Sequence, residues 1–320
     1  MVAFEFPIRF ANPLYGLAGV IIGVVAIVLF NLSYKRLRKA QKSLELVEWR
    51  TLRRVVRVLN VGTKVCLVVA LSVLLARPYF PTTIEVPVSQ ATEEQMAQYT
   101  VTTMVLMDVS LSMNSSDLNP TRLDVSKTMS KLLVSKMDPR DLVGMISFAG
   151  QVYDTVFPTT NRTRIAEVIG NQTLHPSTAI GTALTSAIGV LESQPGGKAI
   201  VLFSDGKNNI GNFTSAVDRA AALKIPIFTV SVGTYGVGEA DPLALKSISE
   251  RSGGKFYEVR NEEIQRLAES VSEISHEVKT GALKGVYDKL VLPVEDYEAP
   301  LLIFSVLLVA ALFLMWFTGV

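Results

Sequence analysis

The sequence predicts an α/β fold, a doubly wound and mainly parallel sheet with one antiparallel edge strand, accompanied by three transmembrane helices. The sheet is predicted because short apolar runs of strand length alternate with amphipathic helical runs between residues 99 and 278. The membrane part is predicted by composition: 49% of the 320 residues are hydrophobic and mean hydropathy is +0.34, more than a soluble domain needs.

Residues 1–11 read as a short external amino terminus. Between Asn12 and Tyr34 no residue is charged, and about 20 apolar residues suffice to cross a bilayer, so 12–34 is expected to be the first spanning helix. Residues 35–63 form a basic loop: from Lys35 to Lys64 there are ten Lys or Arg against only Glu45 and Glu48. Such an excess places a loop on the cytoplasmic side.

The second span, 64–80, is shorter. Its charge-free core, Val65 to Ala76, rises only about 18 Å, so it crosses only if Lys64 snorkels one way while Arg77, Tyr79 and Phe80 reach the other. A buried core helix is the alternative. Residues 81–98 are a linker, 279–299 a juxtamembrane segment, and 300–320 a third span starting at Pro300 and carrying Trp316 and Phe317. This topology puts the globular domain on the outer side of the cell membrane.

The formal net charge of +2 exerts no overall pull on nucleic acid, and no aromatic stacking series accompanies the basic loop. Cys66 is the only cysteine, which excludes intramolecular disulfides and cysteine-based zinc sites.

Within 99–278, Met104 to Met107 is an apolar strand run ending at Asp108. Val125, Met129, Leu132 and Leu133 then recur at helical spacing behind a Thr121–Asp124 cap. Leu142–Phe148 and Val152–Phe157 flank Ala149-Gly150-Gln151 as a hairpin, which makes the edge antiparallel. Helices follow near Arg164–Ile169 and Ile180–Leu191, then strand Ala199–Phe203, helix Ala216–Leu223 and strand Ile227–Val232. A helix near Leu243–Ser249 and strand Phe256–Val259 complete the alternation. The last helix carries Ile264, Leu267, Val271, Ile274 and Val278 on one face.

In such sheets, ligands bind at the carboxyl ends of strands where strand order reverses. The first strand ends in Asp108-Val109-Ser110-Leu111-Ser112. Oxygen side chains at alternate positions can converge on one point while Val109 and Leu111 pack inward. The strand Ala199–Phe203 is followed by Ser204-Asp205-Gly206, and the loop Ser177 to Thr182 offers a hydroxyl at a helix amino terminus. Carboxylates and hydroxyls without His or Cys form a hard-oxygen set, suited first to Mg2+ and also to Mn2+ or Ca2+. Where hydroxyls take the direct positions and carboxylates act partly through water, the ion stays electron-poor. A partner's Glu or Asp then completes its shell.

These residues resemble the metal-ion-dependent adhesion site of von Willebrand factor type A domains: the DxSxS stretch from Asp108 to Ser112, the Thr178 loop, and Asp205. The resemblance covers about residues 99–278. It implies Ser110, Ser112 and Thr178 as direct or near-direct ligands, with Asp108 and Asp205 acting through water. Pro176-Ser177 departs from the pattern, since many relatives have glycine there, and leaves Thr182 as the alternative ligand. His175 and His276, lacking partner ligands, read as surface residues.

The overall plan is similar to Bat-type aerotolerance membrane proteins. That similarity implies association with other type A membrane proteins and with a MoxR-type AAA ATPase. The expected function is therefore non-enzymatic: a membrane-anchored module that binds a divalent cation and captures an acidic residue of a protein partner. One alternative is a magnesium-dependent phosphatase-like enzyme with Asp108 as nucleophile, although such a site wants a second Asp where Ser110 stands. The other is a membrane scaffold with a purely structural metal.

Overall fold

The computed structural model describes residues 8–25, 28, 62, 64–65, 68–233, 240–259 and 264–317. The chain divides into two compact units, one of Met1–Ile84 with Val291–Val320 and one of Glu85–Leu290.

The second unit holds the α/β sheet. Its strands are β1 (Val101–Asp108), β2 (Leu142–Phe148), β3 (Val152–Thr159), β4 (Gly197–Ser204), β5 (Ile227–Val232) and β6 (Phe256–Val259). Their spatial order is β3-β2-β1-β4-β5-β6, all parallel except β3, which runs antiparallel to β2. The chain thus winds from β1 to one side, then returns to lay β4 on the other. The reversal of strand order falls between β1 and β4.

All eight residues of β1 are buried. A strand covered on both faces needs no polar alternation, which is why it reads as one apolar run. Edge strand β3 leaves Asp154, Thr155 and Phe157 exposed, in keeping with its more mixed sequence.

The helices are α1 (Arg122–Lys136), α2 (Arg162–Gly170), α3 (Ile180–Glu192), α4 (Thr214–Ala222), α5 (Pro242–Ser252) and α6 (Ile264–Lys284). Ile180, Leu184, Ile188 and Leu191 of α3 recur at helical spacing and pack, with Ala216 of α4 and Leu245 of α5, against Leu106, Ile146 and Leu202. Helices α1 and α6 pack together over β1 and β4. The Thr121 hydroxyl accepts the Asp124 N–H at 3.1 Å, which fixes where α1 begins. On α6, Val271, Ile274 and Val278 are buried, and the burial continues through Ala282 and Leu283. The side chains of Ile264 and Leu267 lie outside the described residues.

The first unit contains strand Arg9–Phe10, which pairs antiparallel with Tyr79 and Pro78. Strand Pro78–Pro87 lies between it and strand Lys289–Asp296 in a three-stranded sheet.

Three transmembrane helices are not supported. Among the described residues, no helix is long and apolar enough to cross a membrane. For the first candidate, the described helical residues are 13–25 and 28. For the second they are 62, 64–65 and 68–75. Residues 78–80, assigned to that span from sequence, belong instead to an extended strand. Pro78, Pro81 and the β-branched run Thr82-Thr83-Ile84 explain the switch, since they disfavour helix and suit extended chain.

The third candidate is a helix over Glu298–Phe317, whose Trp316 and Phe317 side chains lie outside the described residues. The basic loop at 35–63 falls almost entirely outside them as well. The segment 279–299 is not merely a connector, because it contains the end of α6 and strand Lys289–Asp296.

Candidate metal centre

At the carboxyl ends of β1 and β4 two carboxylates are fully buried, Asp108 and Asp205. Strand register places Met107 beside Phe203, so the residues that follow, Asp108 and Ser204, leave the sheet side by side. The Ser204 hydroxyl donates to Asp108 Oδ2 at 2.6 Å, and the Ser110 N–H donates to Oδ1 at 2.9 Å. The Lys207 N–H donates to Asp205 Oδ1 at 3.0 Å. Asp108 is thus oriented by Ser110 of its own loop and by Ser204 of β4, and Asp205 by its own loop.

Beyond Asp108 the chain turns into a short 3-10 helix, Leu111–Asn114, with Ser110 at its cap. The hydroxyl oxygens of Ser110 and Ser112 stand 3.0 Å apart. Val109 is buried as its spacing predicted, but Leu111 is 59% exposed. The strand-like alternation stops at Ser110, because the helical turn rotates Leu111 outward while keeping Ser112 beside Ser110.

The third loop is fastened to the other two through its backbone. The His175 N–H donates to the Val109 carbonyl at 2.7 Å, and the Ala179 N–H to the Ala149 carbonyl at 2.7 Å. The Thr178 carbonyl accepts from Asn209 and Ile210 N–H groups at 2.9 and 3.0 Å, and the Asn208 side chain caps the Ile180 N–H at 3.0 Å. Thr178 is 1% exposed.

Ser177 adopts φ +66°, the left-handed conformation that costs a residue with a Cβ and that glycine takes freely. The His175 ring stacks on Tyr153 at 3.8 Å between centroids, a packing role. Thr182 lies one turn into α3, beside a shallow cleft with Thr185, Ser186 and Asn212.

One buried neighbour of Asp205 was not found from sequence. Arg122, at the start of α1, is 1% exposed and donates from Nη1 to Asp205 Oδ2 at 3.0 Å. Its Nε and Nη2 fork onto Asp117 at 2.7 and 2.8 Å. A lone arginine in the first turn of a helix reads as a surface residue. Only the packing of α1 over the end of β4 buries it, and no local signal in the sequence carries that information.

The donor set fits a hard divalent cation. The Ser110 and Ser112 hydroxyls and two oriented carboxylates lie at the strand-order reversal, with the Thr178 loop fastened beside them. Electrostatics point the same way. Burial, with the Asp205 charge as the second cause, raises the Asp108 carboxyl from 3.8 to about 7. A cation between these loops would offset that cost.

The linkage has a defined sign. A carboxyl whose native pKa lies above its unfolded value binds more protons when folded, so its contribution is present at low pH and is lost as pH rises through about 7. Chelator-treated protein is expected to melt progressively lower from pH 5 to pH 8, and Asp108→Asn to flatten that part of the profile. An identical slope in both proteins would assign it to other groups.

Gly206 shapes the Asp205 turn. Its φ is +84°, and a Cβ there would lie 2.1 Å from the Asp241 carbonyl oxygen. Since the Asp241 N–H donates to the Asp205 carbonyl at 2.8 Å, Gly206→Ala is expected to force these loops apart. The expected destabilisation in urea is about 2 kcal/mol or more, typical of strain at such a position.

A central parallel sheet with its site at the β1/β4 reversal, and DxSxS, Thr and Asp loops around it, defines the von Willebrand factor type A class. The family described as von Willebrand factor type A domain matches residues 103–207. An UPF0353 protein of Nocardia farcinica (strain IFM 10152) is 30% identical over 249 residues, covering 66% of this chain and 70% of that protein. The chain belongs to this UPF0353 family of type A domain proteins.

An UPF0353 protein of Mycobacterium sp. (strain KMS) is also 30% identical, over 209 residues, and there the chain spans only 62% of the relative's length. Among solved structures, BatB from Bacteroides thetaiotaomicron is similar with a TM-score of 0.50 and 24% identity, covering 57% of this chain and 98% of that one. An aerotolerance-related membrane protein from Bacteroides fragilis NCTC 9343 aligns with a TM-score of 0.49 and 24% identity, covering 56% of this chain and 98% of that one.

Proposed function

We propose that this protein is a non-enzymatic, metal-dependent interaction module. Asp108, Ser110, Ser112, Thr178 and Asp205 hold a divalent cation, Mg2+ in the first instance and otherwise Mn2+ or Ca2+. The ion recruits a Glu or Asp carboxylate from a protein partner. The observation that carries this reading is the meeting of three oxygen-bearing loops at the β1/β4 reversal, with the Ser110 and Ser112 hydroxyls 3.0 Å apart and two buried carboxylates held behind them. Hydroxyl ligands leave the ion's charge poorly neutralised, so an external carboxylate is favoured over water.

The protein works in association with a membrane. Leu14, Leu17 and Ile21 at the amino-terminal end, and Leu302, Val306 and Val309 at the carboxyl-terminal end, are apolar side chains each at least 59% exposed. Patches of this kind are covered by lipid or by other proteins. Within that setting, the partners proposed are other type A membrane proteins and a MoxR-type AAA ATPase system, as the Bat-type resemblance implies.

The test is crosslinking of membranes that carry tagged full-length protein, with Mg2+ or with chelator, followed by mass spectrometry. Capture of a defined partner only with Mg2+ is the expected result. Equal capture under both conditions would sink metal-dependent adhesion.

A further inference from the structure

We infer that Arg122 restrains Asp205 from ligating the metal directly, and so keeps the ion dependent on an outside carboxylate; this rests on the metal-dependent reading above. Asp205 has two oxygens, and each already accepts a hydrogen bond inside the protein, the one on Oδ2 from a cation. Oδ2 accepts from Arg122 Nη1 at 3.0 Å and Oδ1 from the Lys207 N–H at 3.0 Å.

The guanidinium is itself fixed. Its Nε and Nη2 are forked on Asp117 at 2.7 and 2.8 Å, a bidentate geometry that sets its plane. On another side, Gly233 lets the backbone approach so closely that a Cβ there would lie 3.0 Å from Arg122 Cζ and Nε. Arg122, Asp117 and Asp205 form one buried assembly, with the arginine side chain 1% exposed and Asp117 and Asp205 5% and 0%.

Charge accounting shows what this assembly does. Arg122 and Asp117 cancel, so the pair leaves the net charge at the site unchanged. Its effect is directional: it commits Asp205 Oδ2 to an internal cation. An anionic oxygen bound directly to the ion would neutralise it further and weaken its attraction for a partner's carboxylate. Arg122 is therefore a positioning residue that trades intrinsic metal affinity for partner affinity.

The double substitution Arg122→Met with Asp117→Asn removes the clamp without changing net charge. The probe is Mn2+ alone, titrated by calorimetry, with water-proton relaxation counting the exchangeable waters on the bound ion. Folding is checked by urea unfolding.

The double variant is expected to bind Mn2+ about tenfold tighter and to retain fewer exchangeable waters, because a freed carboxylate close to a divalent ion is strongly attracted in a weakly screened interior. Arg122→Lys, which keeps a charged donor, is expected to preserve the wild-type water count. If the double variant does not fold, Arg122→Gln with Asp117→Asn takes its place, also neutral overall, with the same tightening expected. A folded variant with wild-type Mn2+ affinity and hydration would overturn the inference while leaving the metal site standing. Absence of Mn2+ binding by the wild-type protein would overturn both.

Discussion

Arg122→Met alone is expected to destabilise the folded protein by about 3–5 kcal/mol, the usual cost of removing one partner from a buried ion pair. The side chain touches two carboxylates at once, and neither has solvent to turn to: Asp117 is 5% exposed and Asp205 is fully buried. Burial disfavours the arginine's charge, but the hydrogen bonds and charges of Asp117 and Asp205 outweigh it and hold its pKa above the ordinary value. Removal therefore leaves uncompensated charge in a low-dielectric interior, where pairing is worth most. Equilibrium unfolding in urea measures the loss. A change below about 1 kcal/mol would place Arg122 among exposed ion pairs, whose contributions are of that size.

Asp108→Ala is the second large effect, and it falls on ligand-linked stability rather than on the metal-free fold. A carboxylate that orients and charges a metal site through water or a hydroxyl contributes roughly 10–100-fold in affinity. A ligand present at 100 times its dissociation constant adds about 2.7 kcal/mol of stability, so a hundredfold weaker site loses nearly all of it. Thermal unfolding of wild-type and variant protein, each with Mg2+ and with chelator, isolates that difference. The variant is expected to melt at the same temperature in both conditions, whereas the wild type gains with Mg2+. In chelator the variant is expected to match or exceed the wild type at pH 8, because it no longer buries a carboxyl raised to about 7 beside Asp205. An Mg2+ response retained in full would remove Asp108 from the proposed ligand set.

Much of the α/β unit was legible because its signals are local. β2, β5 and β6 begin and end at the residues predicted, Leu142–Phe148, Ile227–Val232 and Phe256–Val259. Short, mostly apolar runs rich in β-branched and aromatic residues have few alternatives between polar turns. The Ala149-Gly150-Gln151 connection gave the antiparallel edge for the same reason. The Asp108 and Asp205 loops follow strand runs, whereas the Thr178 loop leads into a helix, so its place beside them came from the resemblance.

The segments around that unit were misread where composition was made to stand for length. The apolar stretch 64–80, containing Pro78, was extended as helix, yet the chain there enters strand Pro78–Pro87. Strand Lys289–Asp296 was passed over because Leu290 and Leu292 are buried while Val291 and Val294 are exposed. Its apolar residues therefore never alternate cleanly with polar ones.

The sequence by itself determined the order of strands and helices, the hard-oxygen character of the site, and which loops could contribute to it, because periodicity and side-chain chemistry are properties of neighbours along the chain. Only the tertiary structure decided that Leu111 turns outward, that Ser177 is held left-handed, and that Arg122 lies buried between Asp117 and Asp205. These depend on groups as far as 83 residues apart. No window along the sequence contains both ends of such a contact, and its energy exists only once packing has removed the water between them.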